Sequence, residues 1–120
     1  QIITTMQTQN FQETARGDCL LLTLEGKLDA STTPDLERQI TGKLRAGQKF
    51  VALDFSKVTY LASSGLRMLL VLSRLAGSLE GRIVLCGMDQ TMRDTLAISG
   101  FAPYFPHADS TEEAFGLLEK

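Results

Sequence analysis

Tryptophan is absent from this 120-residue chain, histidine occurs once, cysteine twice and proline three times. The single histidine, His107, and the lack of any CxxC pair remove the Cys/His constellations that hold zinc. Cys19 and Cys86 each lie inside an apolar run, so both read as buried free thiols rather than as a disulfide. Basic residues are also scarce: 12 Lys and Arg against 14 Asp and Glu leave a formal net charge of -2. Nucleic acid is therefore not an expected partner. No apolar run approaches the ~18 residues needed to cross a bilayer, and direct membrane insertion is not expected. No basic-then-apolar leader opens the chain at Gln1, and the expected location is the cytoplasm. A glycine-rich phosphate loop is missing as well, and no cofactor is expected.

What is present suffices for one hydrophobic core, and residues 1–120 read as a single domain. Ile2 to Glu13 alternates loosely and predicts an edge strand. Thr14-Ala15-Arg16-Gly17-Asp18 is turn chemistry, which makes Cys19 to Leu24 the second arm of a hairpin. A helix follows, with Thr33 as N-cap, Pro34 at the first helical position, a buried stripe of Leu36, Ile40 and Leu44, and Gly47 as the stop. Phe50 to Phe55 reads as a strand buried on both faces, as central parallel strands are.

After a polar turn at Asp54-Phe55-Ser56-Lys57-Val58, a leucine-rich helix spans Ser64 to about Ser78. Arg82 to Cys86 then completes a βαβ unit. Asp89 caps a third helix with Met92, Leu96 and Ala97 inward. Phe101 to Phe105, broken by Pro103, is a short strand at best, with His107 in a solvated loop after it. Ser110-Thr111-Glu112-Glu113 is a capping box that opens a last helix with Ala114, Leu117 and Leu118 inward.

The chemistry concentrates where the central strand hands over to the second helix, at Ala62-Ser63-Ser64-Gly65. Two hydroxyls stand at a helix N-terminus, where unpaired N–H groups and the positive end of the macrodipole suit a group that acquires negative charge. Three readings are open. The serines cap the helix. Alternatively Ser63 is phosphorylated. The third reading is a nucleophile, since Leu61-Ala62-Ser63-Ser64-Gly65 half-matches the G-x-S-x-G elbow. It lacks the first glycine and would need His107 as base. The helix itself carries two apolar rows, Leu66, Leu69, Leu70, Ser73 and Ala76, and Met68, Leu72, Leu75 and Leu79. Either the second row wedges between sheet and helices, or Met68 and Leu72 stay partly exposed as a docking face.

Gly26-Lys27-Leu28-Asp29, Asp54 to Val58, Ser63-Ser64-Gly65-Leu66, Ile98-Ser99-Gly100-Phe101 and Ser110 to Ala114 follow a recognisable order. Over its full length the chain resembles the STAS domain family, which includes bacterial anti-sigma factor antagonists and the cytosolic tails of sulfate-type anion transporters. The resemblance implies an α/β fold: a mostly parallel sheet of four to five strands, an antiparallel N-terminal edge strand and about four backing helices. It implies that Ser63 is the phosphoacceptor and that Asp29 lies near it in partner contact. The expected partner-binding set is thus Asp29, Ser63, Ser64, Gly65, Met68 and Leu72, with no catalytic residue and no metal ligand.

In antagonists of this family, the dephosphorylated form binds an anti-sigma factor with serine kinase activity and frees a sigma factor. Phosphorylation breaks that complex, and a PP2C-type, metal-dependent phosphatase restores it. The resemblance thus implies a non-catalytic regulator of transcription by partner switching. A second role within the family is service to a membrane system, as a transporter tail or lipid-transport subunit, without a phosphoswitch. One position departs from the antagonist pattern: the residue before the acceptor is often aspartate, and here it is Ala62.

Overall fold

The computed structural model describes residues 11–119. Its strands are β1 (Phe11–Arg16), β2 (Cys19–Leu28), β3 (Phe50–Leu61), β4 (Arg82–Cys86) and β5 (His107–Ala108). The helices are α1 (Thr33–Arg45), α2 (Ser63–Ser78), α3 (Gln90–Ile98) and α4 (Thr111–Leu118). The sheet order is β1-β2-β3-β4-β5, with β1 antiparallel to β2 and the other neighbours parallel. The expected mixed α/β architecture is therefore found. The reading of a strand from Ile2 lies partly outside the described residues, and the strand seen there runs from Phe11 to Arg16 before a tight turn at Gly17.

Alternation along the strands builds two unequal cores. Leu20, Leu22 and Leu24 of β2, Val51, Leu53 and Phe55 of β3, and Ile83 and Leu85 of β4 face the buried stripes of α1, α2 and α3. Cys19, Leu21, Ala52, Val84 and Cys86 point to the other face, where α4 contributes Ala114, Phe115 and Leu118. Small side chains predominate there, which lets one short helix lie close to the sheet. Both thiols are free and buried, as expected, and burial pushes the Cys86 thiol up to about 12.

The local caps were legible. Asp89 Oδ1 accepts from Met92 N at 2.8 Å, and Ser110 Oγ accepts from Glu113 N at 3.0 Å. The α1 cap is shifted by one residue: Thr32, not Thr33, occupies the N-cap, and Thr33 begins the helix and is buried. Thr32 Oγ1 instead ties the preceding loop, accepting from Asp29 N and donating to Lys27 O.

Two expectations fail for a tertiary reason. Asp54 to Val58 is not a turn; β3 continues through it to Leu61. Beyond Asp54 the strand has lost β4, whose last pair is with Cys86, and continues on β2 alone. Its polar residues are therefore an exposed strand edge. Asp54 marks the parting: its Oδ1 accepts from Ser56 N at 3.0 Å, and a Cβ at Gly87 would fall 2.2 Å from that oxygen. Phe101 to Phe105 contains no strand but a 3-10 turn at Ala102–Tyr104. Pro103 fixes φ and offers no N–H to a sheet. The strand β5 comes later and includes His107, which is half-buried rather than a solvated loop residue.

Candidate functional site

The site is assembled where β2 and β3 end together. Leu28 pairs with Leu61, and Ala62 N donates to Leu28 O at 2.9 Å, so the loop starting at Asp29 lies beside the start of α2. Gly65 makes this approach possible. A Cβ there would stand 2.6 Å from Leu61 Cδ1 and 3.3 Å from both Leu28 Cβ and Leu28 O. Gly65, expected among the partner-binding residues, is buried against the sheet end and shapes the site through that contact.

Asp29 folds its side chain into its own loop. Its Oδ1 accepts from Ser31 N at 3.0 Å and from Ser31 Oγ at 2.7 Å. The Ser31 hydroxyl, then the Ser31 N–H, hold the carboxyl below the usual carboxylate range. The loop is further closed by Thr32 N and Thr33 N, which donate to Asp29 O at 3.1 and 3.0 Å.

Neither serine caps α2. The N-cap is Ala62, which is extended and has no side chain to offer, while its carbonyl accepts from Gly65 N and Leu66 N at 2.9 and 3.2 Å. Ser63 and Ser64 are the first two helical residues, and they face different ways. Ser63 is exposed, whereas Ser64 Oγ is buried with no hydrogen-bond partner among the described residues. Both border an open cavity of about 740 Å³, together with Ala30, Arg67, Ser99 and Phe101. Arg67, Ser99 and Phe101 were not singled out as site residues from sequence, although the Ile98 to Phe101 segment carried part of the family resemblance.

Met68 and Leu72 do not belong to a surface. They are 1% and 0% exposed and lie in the larger core. The reason is that α2 packs against both the sheet and α1, so the arc Gly65, Met68, Leu69, Leu72 and Ala76 is entirely covered. The remaining edge of α2, Arg67, Val71, Arg74 and Ser78, is exposed. The nucleophile reading also loses its geometry. His107 borders a different cavity, with Arg93, Asp94 and Phe105, and both of its ring nitrogens are buried with no hydrogen-bond partner among the described residues. Among the described residues no group of three or more His, Cys, Asp or Glu could hold a metal ion, and no helix is long and apolar enough to cross a membrane.

The profile of the STAS domain family matches residues 10–114. The chain belongs to the STAS domain family. BtrV of Bordetella bronchiseptica, named as an anti-sigma factor antagonist, is 32% identical over 95 residues, covering 79% of this chain and 82% of BtrV. A Thermotoga maritima protein of the same named class is similar in fold, with a TM-score of 0.86 at 16% identity, over 92% of this chain and 95% of its own. The anti-sigma factor antagonist SpoIIAA in its unphosphorylated form has a TM-score of 0.77 at 21% identity, over 92% and 97% of the two chains. Phosphorylated SpoIIAA, a Bacillus cell fate determinant, has a TM-score of 0.70 at 22% identity, over 89% and 98%. These structural likenesses establish the fold of this STAS domain.

Proposed function

We propose that this STAS domain is an anti-sigma factor antagonist that switches partners through phosphorylation of Ser63. One observation carries the reading: of two adjacent serines at the start of α2, Ser63 is exposed and the Ser64 hydroxyl is buried. A kinase can reach only the first. SpoIIAA, whose fold this chain shares, exists in unphosphorylated and phosphorylated forms, and BtrV carries the same class name, which supports the reading.

In its dephosphorylated form the domain binds an anti-sigma factor with serine kinase activity through the surface around Asp29 and Ser63. Phosphorylation ends that contact, and a PP2C-type phosphatase restores it in the cytoplasm. The physical basis is local. A phosphoryl group brings about −1.5 to −2 charges and three acceptor oxygens. The positive end of α2 accepts such charge, at ~0.3–1 kcal/mol per favourable contact, so the fold survives modification. The partner surface does not accept it, because bulk and charge replace a small hydroxyl. Domains working this way bind and release and carry out no chemistry of their own.

Titration calorimetry with a serine-kinase anti-sigma factor from the same host tests the switch. Ser63→Ala should bind like the unmodified domain, and Ser63→Asp at least about tenfold more weakly, a loss of ~1.4 kcal/mol. Equal affinity of all three proteins refutes the switch, as does the absence of a phosphoryl group on Ser63 in protein isolated from its host under varied stress.

A further inference from the structure

Arg67 stands four residues after Ser63 on α2, which places the two side chains one above the other on the same helix face, with Cβ atoms about 5–6 Å apart. Both are exposed and both border the cavity at the end of β3. No other residue bordering that cavity carries a charge. Among the described residues the Arg67 guanidinium makes no ion pair and no hydrogen bond, whereas Arg16 and Arg38 are held by Glu112 and Asp35. The first turn of α2 contains no acidic residue, and its N-cap, Ala62, supplies no side-chain acceptor. The N–H groups of Ser63 and Ser64 likewise find no protein acceptor among the described residues.

We propose that Arg67 is the intramolecular counter-charge of phosphorylated Ser63, closing its guanidinium onto the phosphoryl oxygens from one turn further along α2. The proposal rests on Ser63 being the phosphoacceptor and adds how the modified state is held. A guanidinium fork matches phosphate with two parallel hydrogen bonds, which an ammonium does not reproduce. The free N–H groups at the helix start take remaining oxygens from the other side. Ala62 matters here, since a carboxylate at that position would compete with the phosphate for the same cation. The acidic group that the β2–β3 register does bring to this end of the sheet is Asp29, and its Oδ1 is engaged by Ser31.

The pairing gives phosphorylation a second effect on the surface. In the unmodified domain Arg67 is an unpaired, exposed cation beside the hydroxyl, available to an acidic group on a partner. In the modified domain the phosphate captures it. Release then follows both from the added bulk and charge at Ser63 and from withdrawal of Arg67.

The test uses domain carrying phosphoserine at position 63, installed during translation, so that it does not depend on any kinase. Phosphorus NMR then follows the second ionisation of the phosphate, which lies near 6 for an isolated phosphoserine. An adjacent cation favours the dianion, so Arg67→Gln should raise that pKa by about half a unit, or ~0.7 kcal/mol of differential interaction. Arg67→Lys should fall between Arg67→Gln and the parent. Arg74→Gln, an exposed change further along the same helix, should leave the value where it was. Gln is a good helix former, and thermal melts check that each variant is folded. Identical pKa values for parent and Arg67→Gln overturn the proposal, and so does an equal shift in Arg74→Gln, which would mark a diffuse field. Failure of the Ser63 switch is read separately, from the absence of a phosphoryl group on Ser63 in the host.

Discussion

Gly65 and Gly77 lie in the same helix and predict opposite responses to the same substitution. A Cβ at Gly65 would sit 2.6 Å from Leu61 Cδ1 and 3.3 Å from Leu28 Cβ and O, well inside the ~3.5–4.0 Å that carbon atoms prefer. Leu61 is 8% exposed and Leu28 0%, so neither side chain can swing into water, and the Leu28 carbonyl is fixed by its bond from Ala62 N. Overpacking of this kind costs ~1–3 kcal/mol. At Gly77 a Cβ would meet nothing within 4 Å.

Both positions gain helix propensity on becoming alanine, by up to ~1 kcal/mol, and both lie in terminal turns of α2, so that gain largely cancels between them. Gly65→Ala should therefore be less stable than Gly77→Ala by the ~1–3 kcal/mol of overpacking, and Gly77→Ala slightly more stable than the parent. For a domain of this size ~1 kcal/mol moves Tm by roughly 3–6 °C, so the two variants should melt at least about 3–6 °C apart. Calorimetric melts, with urea unfolding as the second probe, decide it. Equal melting of the two variants would show that α2 does not press on the end of β2, and the placement of Ser63 beside the Asp29 loop would lose its cause.

Two further outcomes follow from burial. Leu72→Ala should destabilise the domain by ~2–5 kcal/mol in urea unfolding, because the side chain is fully enclosed; native stability with lost partner binding would return Leu72 to the surface. His107 should titrate below its ordinary 6.5, chiefly because burial disfavours the imidazolium and secondarily because Arg93 repels it, against opposing pulls from Asp109 and Glu113. The unfolded chain then takes up this proton before the folded one, so stability is complete above about 6.5 and declines as pH falls below it. Proton NMR of the ring locates the titration, and chemical unfolding of His107→Gln at pH 7.5 and 5 should show less acid sensitivity than the parent.

Local signals were the legible part of this chain. Asp89 and Ser110 cap as their side chains dictate, within four residues of what they bind. Cys19 to Leu24 read as the second arm of a hairpin from its own composition and the turn before it, although the division of its residues between the two faces of the sheet appears only in the structure. Illegible features depended on distant chain. Asp54 to Val58 looks like a turn because Asp54, Ser56 and Lys57 are polar, yet the exposure of Ser56 and Lys57 arises from β4 ending at Cys86. Met68 and Leu72 look free because α2 has apolar residues to spare, and only the position of α1 shows which row is covered. Arg67 carried no signal of its own, since the cavity it borders is lined by Ser99 and Phe101 from beyond α3.

The position of the cap explains why capping and switching need not compete at one hydroxyl. A capping serine accepts an N–H bond from the helix it starts, and modifying its oxygen would break that bond at a cost of ~1 kcal/mol. Here the cap is one residue earlier, at Ala62, where only the carbonyl takes part. Among the described residues Ser63 Oγ consequently has no structural bond to lose, and Ser64 Oγ is buried and so turned away from modification. Gly65 completes the arrangement by seating the helix start on Leu28, which keeps an exposed, unencumbered hydroxyl rigidly beside the Asp29 loop. On the proposed phosphorylation of Ser63, a side chain placed this way gains or loses a phosphoryl group and alters the surface around it while the core beneath stays as it is.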